Sequence, residues 1–182
     1  MTDSREAIKI FAGAEIIHSA ETVDLAVKHV ATRITEKLEN SNPLVLCVMT
    51  GGVPFAGALM MRLRFPLDFD YIHVTRYGQK TSGGELSWRS LPKTPVEGRT
   101  VLIVDDILDE GFTLESIIAR LRELGAEACY TAVAVDKQNG KKKPLQADFV
   151  ALPVPDRFVF GFGMDVSGKW RNLPAIYAVK ED

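Results

Sequence analysis

The chain has 182 residues, 46% of them hydrophobic and 25% charged, with a formal net charge of −2; this suits one globular domain with a proper core and at most a small appended lobe. That charge, with a pI of about 6.0, argues against a nucleic-acid-binding surface spread over the whole domain. The opening MTDSREAIKIFAG is too polar for a signal peptide, and no apolar run approaches the ~20 residues that cross a bilayer, so a soluble, cytoplasmic protein with no membrane partner is expected.

Ala14 to His18 is a short apolar segment, and Ser19 is placed to cap a helix. From Glu21 to Glu39, Val23, Val27, Val30, Ile34 and Leu38 recur at helical spacing and form one apolar stripe. Leu44 to Met49 is a continuous apolar run of strand length, broken by Thr50-Gly51-Gly52, and Val53 to Leu63 has the composition of a packed helix. Leu67 to Val74 reads as a strand. The polar, glycine-bearing stretch Arg76 to Arg89 reads as a long loop, and such loops in compact domains tend to be functional lids or disordered. Val101 to Val104 is a fully apolar strand. Thr113 is placed to cap a helix with a Leu114, Ile117, Ile118, Leu121 and Leu124 stripe, which Gly125 would terminate. Cys129 to Val135 is the next strand.

Strand alternating with helix, and apolar runs in place of alternation, predict an α/β fold with a parallel sheet covered by helices on both faces. The short, proline-punctuated pieces after Pro144 read, with the N-terminal residues, as a small lobe over the carboxyl edge of the sheet. The expected arrangement is one domain over residues 1–182, with a core from about 20 to 150 and a hood formed by the N-terminus and about 151–182. Cys47 and Cys129 sit inside apolar runs and read as buried free thiols; neither falls at zinc-ligand spacing with His18, His29 or His73. Lys141-Lys142-Lys143 reads as a solvated turn.

The segment Val101 to Leu114, VLIVDDILDEGFTL, carries the chemistry. In open α/β sheets ligands bind where strands end and helices begin, so Asp105 and Asp106 are expected to emerge at that edge. Adjacent carboxylates there accept hydrogen bonds from hydroxyls and coordinate hard cations. Asp109-Glu110-Gly111-Phe112-Thr113 then opens a helix, where converging backbone N–H groups and the positive end of the dipole favour phosphate. The chain has no GxxxxGK[ST], which argues against a P-loop nucleotidase. A receiver domain would carry its acidic pair near the N-terminus, with no phosphate turn following.

As a whole, this segment resembles the phosphoribosyl pyrophosphate signature of type I phosphoribosyltransferases: an apolar strand, two acids, two apolar residues, then Asp-x-Gly-x-Thr. That family has a parallel-sheet core with a smaller hood. From about Leu44 to Tyr177 the chain is similar to its hypoxanthine-guanine (6-oxopurine) branch. The resemblance implies a purine-salvage enzyme that joins hypoxanthine or guanine to phosphoribosyl pyrophosphate, yielding IMP or GMP and pyrophosphate with Mg²⁺, and that forms a homodimer or homotetramer.

Carried over position by position, the resemblance places the 5′-phosphate on Glu110, Gly111, Phe112 and Thr113. It places the ribose hydroxyls and Mg²⁺ on Asp105 and Asp106, and the purine N7 proton on Asp109 as general base. Met49-Thr50-Gly51-Gly52 corresponds to the pyrophosphate loop, making Met49–Thr50 the candidate for a non-proline cis peptide. Thr50, Gly51 and Arg171 would hold pyrophosphate, and Arg76 and Tyr77 would begin the lid. Lys137 matches the lysine that donates to the purine O6, Phe158 the ring that stacks on the base, and Val159 a backbone contact to it. Asp165 matches an acid serving a second Mg²⁺ and the base. Thr50, Arg76 and Phe112 depart from the residues common there, and those departures remove side-chain charge from the first and third positions. Two alternatives stay open: transfer to another base, xanthine first, and a nucleotide-sensing regulator built on the same domain.

Overall fold

The computed structural model describes residues 4–76 and 86–180. Its elements are α1 (Ser4–Gly13), β1 (Glu15–His18), α2 (Ala20–Leu38), β2 (Leu44–Met49), α3 (Val53–Met60), β3 (Asp68–Arg76), β4 (Leu86–Ser90), β5 (Thr100–Leu108), α4 (Phe112–Glu123), β6 (Ala128–Gln138), β7 (Phe149–Pro155), β8 (Val159–Phe160) and β9 (Ile176–Ala178). Six strands form one sheet in the order β4-β3-β2-β5-β6-β7, and β1-β9-β8 form a second, smaller one. The large sheet is parallel except for the antiparallel edge strand β4.

Both faces of the large sheet are buried, and alternate residues of each strand serve opposite layers. Val45, Cys47, Leu102, Val104 and Ala132 face the stripe Val23, Val27, Val30, Ile34 and Leu38 of α2, together with Phe55 and Leu59 of α3. Leu44, Leu46, Val101, Ile103 and Val133 face Leu114, Ile117 and Leu121 of α4. The helical stripes of the sequence therefore become the two core layers. Ser19 caps α2, its hydroxyl accepting the Thr22 N–H at 3.3 Å.

Strand order reverses between β2 and β5, because the chain goes from β2 to β3 on one side and returns to β5 on the other. Such a switch point opens a crevice at the carboxyl ends of the two strands. Thr50-Gly51 and Asp105-Asp106 stand at that place.

Several expectations are corrected. β5 does not stop at Val104; it runs through both acids to Leu108, because β6 continues beside it to the pair Leu108↔Asp136. The polar stretch after Arg76 contains β4 at its end, with Trp88 opposite Val74. Phe149–Pro155 is an edge strand of the large sheet, so residues 151–155 belong with the core strands and not with the hood; an edge position leaves the Pro153 nitrogen free of any donor requirement. The N-terminal residues contain α1, whose Phe11 ring meets Trp170 at 4.9 Å and Tyr177 at 5.2 Å, while Trp170 Nε1 donates to Ala7 O at 2.8 Å. Helix α1 is thereby fastened to the small sheet.

Candidate active site

Asp105 is only 8% exposed, and its carboxylate accepts the Asp106 backbone N–H at 2.9 Å. Burial first, and the neighbouring Asp106 charge second, hold its pKa well above the ordinary carboxylate value. Burial also raises Asp106; Arg171, whose Nη1 lies 3.8 Å from Asp106 Oδ2, pulls the other way. Below the pair, burial and the two carboxylates push the Cys47 thiol up to about 12. A thiol so protonated is no nucleophile.

The Met49–Thr50 peptide bond is cis, and the turn it begins lies flat against Asp106. A Cβ on Gly51 would fall 1.9 Å from Asp106 Oδ2, a separation no side chain tolerates. The glycine therefore lets backbone and carboxylate share the crevice floor.

Beyond Leu108 the chain turns into α4. Gly111, not Thr113, is the N-cap, with φ of 88° in the left-handed region; Thr113 lies in the first turn. A cleft of about 520 Å³ opens here, lined by Asp105, Asp106, Asp109, the Glu110–Gly111 turn, Thr113 and Lys137, and also by Asn139, Lys141 and Asp156. Asp109 is held from two sides. Lys137 Nζ lies 3.4 Å from its Oδ2 and 3.8 Å from Asp156 Oδ1. Asn139 Nδ2 donates to Asp109 Oδ1 at 3.1 Å and to its backbone O at 3.2 Å. Lys141 reaches Glu110 at 3.3 Å.

The lysine run is not a solvated turn throughout. Lys143 is 13% exposed at its side chain and donates to Leu108 O at 2.8 Å, Lys137 O at 2.7 Å and Asp136 Oδ1 at 2.5 Å. Three acceptors close on its three N–H donors, which a solvated charge run does not offer.

Arg171 joins the hood to this site. It donates to Gly163 O at 2.6 Å and pairs with Asp165 as well as standing near Asp106. Asp165 also accepts the Gly168 N–H at 2.6 Å. Phe158 is 57% exposed, an apolar ring left on the surface, whereas Phe160 is fully buried and stacks on Tyr177 at 5.6 Å. The Val159 side chain belongs to the core. Phe112 is about half exposed at the start of α4. Arg76 ends β3, and Tyr77 lies outside the described residues.

The structure thus gathers Asp105, Asp106, Asp109, Glu110, Gly111, Thr113 and Lys137 in one cleft, with Gly51 and Arg171 reaching it through Asp106. It does not place Phe112, Phe158, Val159 or Asp165 among the lining residues. Asn139, Lys141 and Asp156 are polar lining residues that the sequence reading did not place in the cleft. Asn139 is followed by Gly140, a turn signal, but nothing local ties it to Asp109. Among the described residues no three His, Cys, Asp or Glu side chains converge as a metal cage. The hard-oxygen pair of Asp105 and Asp106 suits a cation that takes one or two carboxylates and draws its remaining ligands from substrate and water, the habit of Mg²⁺.

The phosphoribosyl transferase domain family matches residues 13–167. The chain is 35% identical to a hypoxanthine-guanine phosphoribosyltransferase of Bacillus subtilis, over 91% of this chain and 93% of the relative. It is 34% identical to a hypoxanthine-guanine-xanthine phosphoribosyltransferase of Tritrichomonas foetus, over 91% of each. A solved hypoxanthine phosphoribosyltransferase of Trypanosoma cruzi superposes with a TM-score of 0.85 at 31% identity, covering 93% of this chain and 97% of that one.

Proposed function

From the premise that this chain belongs to the phosphoribosyl transferase domain family, we propose that it is a purine-salvage enzyme transferring phosphoribose from phosphoribosyl pyrophosphate to hypoxanthine or guanine. The curated relatives named for that reaction, at 33–35% identity over most of their length, support the substrate class. The observation that carries the mechanism is Asp109, held between Lys137 and Asn139 in the cleft that also contains the glycine turn and the acid pair.

In this reading the 5′-phosphate lies on the Glu110 to Thr113 turn, where N–H groups at the start of α4 and the helix dipole meet it. Asp105 and Asp106 accept hydrogen bonds from the ribose hydroxyls. Their raised pKa values suit a site that a cation and substrate complete, since an ionised pair so buried needs opposite charge. Bound Mg²⁺, held by Asp105 and Asp106, would neutralise charge on the pyrophosphate. Arg171 with the Thr50–Gly51 turn takes up the departing pyrophosphate, a bidentate task suited to a guanidinium.

Lys137 donates to the O6 of the base, and Asp109 accepts the N7 proton as N9 attacks C1′. Phe158 is the stacking surface for the purine, and Val159 a backbone contact. Asp165 would help hold a second Mg²⁺ and the base. Arg76 and Tyr77 begin the lid. A cytoplasmic homodimer or homotetramer completes the proposal.

The test is a direct assay. Purified protein with Mg²⁺ and phosphoribosyl pyrophosphate is offered hypoxanthine, guanine, xanthine and adenine separately, and nucleotide and pyrophosphate are quantified. Formation of IMP and GMP without AMP is expected. Absence of nucleotide with every purine would reject the reading.

A further inference from the structure

Resting on that transferase reading, we propose that Lys143 is a positioning residue that sets Asp109 and Lys137 relative to each other, and through them the fit of the 6-oxopurine base. The backbone ladder between β5 and β6 ends at Leu108↔Asp136. Asp109 and Lys137, the two groups that must meet the neighbouring N7 and O6 positions on one edge of the purine, both lie just past that last pair. Lys143 takes over where the ladder stops.

Its ammonium donates to the carbonyl of Leu108, the peptide group that leads into Asp109, and to the carbonyl of Lys137 itself. The carboxylate of Asp136 neutralises it. With its three donors used and its charge paired, the part-buried side chain is a satisfied cross-link. Asn139, four residues earlier in the same loop, adds a second tie by donating to both the backbone and the carboxylate of Asp109. The loop from residue 139 to 143 thus grips Asp109 through two Asn139 bonds and the Lys137 carbonyl through two, from Lys143 Nζ and the Asn139 N–H.

Removing the ammonium takes one donor from each of two carbonyls and a carboxylate; the Lys137 carbonyl keeps the Asn139 N–H and the Asp136 carboxylate keeps Gln138 Nε2. The tie from the Leu108 carbonyl to the Lys137 carbonyl is then lost, and the side-chain contacts of Asp109 with Lys137 and Asn139 are left to hold the two strand ends together. The Glu110–Thr113 turn keeps its place at the head of α4. A merely structural strut would lower stability and affect both substrates alike. A positioning residue acts on the base.

The experiment uses the full chain with Lys143→Met, which keeps the stem, and Lys143→Arg, which keeps charge and donors. kcat and KM are measured for hypoxanthine and for phosphoribosyl pyrophosphate, and Tm is recorded for each protein. For Lys143→Met, kcat/KM for hypoxanthine is expected to fall tenfold or more, with KM for phosphoribosyl pyrophosphate changed less than twofold and partial recovery in Lys143→Arg. Hypoxanthine parameters within twofold of wild type would overturn the proposal, as would equal losses for both substrates. Should Lys143→Met fail to fold, Lys143→Gln is read by the same criteria, and failure of both to fold assigns Lys143 a structural role and rejects the positioning one. A wild-type protein inactive with every purine rejects the transferase reading itself, which separates the two failures.

Discussion

At the scale of single residues, the site is built on carboxylates kept in different surroundings. Asp109 is about half exposed and bridged by a cation and an amide, whereas Asp105 is buried beside a like charge. Asp109→Asn keeps the size of the side chain and loses the proton acceptor. Its kcat is expected to fall about 10²-fold or more, the usual worth of a general base, with little change in KM for phosphoribosyl pyrophosphate. Near-wild-type turnover would remove Asp109 from the chemistry. Asp105 bears on stability instead. Folded, its carboxyl titrates above the ordinary value of 3.8. Between that value and the raised one, the folded chain therefore holds more protons than the unfolded chain, and stability falls as pH rises. Asp105→Asn keeps a carbonyl acceptor for the Asp106 N–H and carries no charge. It is expected to raise Tm at pH 7 by about 2–4 °C, on the order of 1 kcal/mol, to shrink the loss of Tm as pH rises above the ordinary carboxylate value, and to impair activity. A lower Tm than wild type at pH 7 would contradict this account.

At the scale of elements, two connections make the site: the β2–α3 turn and the β5–α4 turn, adjacent at the switch point. The first depends on Gly51, because a methyl group there would overlap the Asp106 carboxylate. Gly51→Ala is therefore expected to push the turn and Asp106 apart. The KM for phosphoribosyl pyrophosphate should rise about tenfold, the equivalent of about 1.4 kcal/mol, while the core packing that sets Tm is largely retained. Steady-state kinetics with varied phosphoribosyl pyrophosphate, alongside a melt, decide it; an unchanged KM would show that the contact is dispensable. The second connection shows how far local pattern reaches. The strand Val101 to Val104 was legible from its apolar run, but its extension through Asp105 to Leu108 was not. That extension depends on how far β6 runs alongside, and two acids read locally as the end of a strand. Ser19 was legible as a cap because its bond is made three residues away. Thr113 was misplaced as one because Gly111 supplies the turn through its backbone, without a capping side chain.

At the scale of the whole molecule, the hood reaches the large sheet at Asp106. Arg171, from the hood, stands 3.8 Å from it, and α1 is tied to the hood by Trp170 and Phe11. The amphipathic stripes, the buried strands and the acid pair ahead of a glycine turn were determined by the sequence alone, because period, apolar run and turn chemistry are properties of neighbours along the chain. The partners of Asp109 were decided only by the tertiary structure. Lys137 and Asn139 lie 28 and 30 residues away, and what brings them together is the parallel register of β5 and β6, with Lys143 bonded to the carbonyls of Leu108 and Lys137. No local pattern encodes that register. It follows from which strands pair and how far they run together.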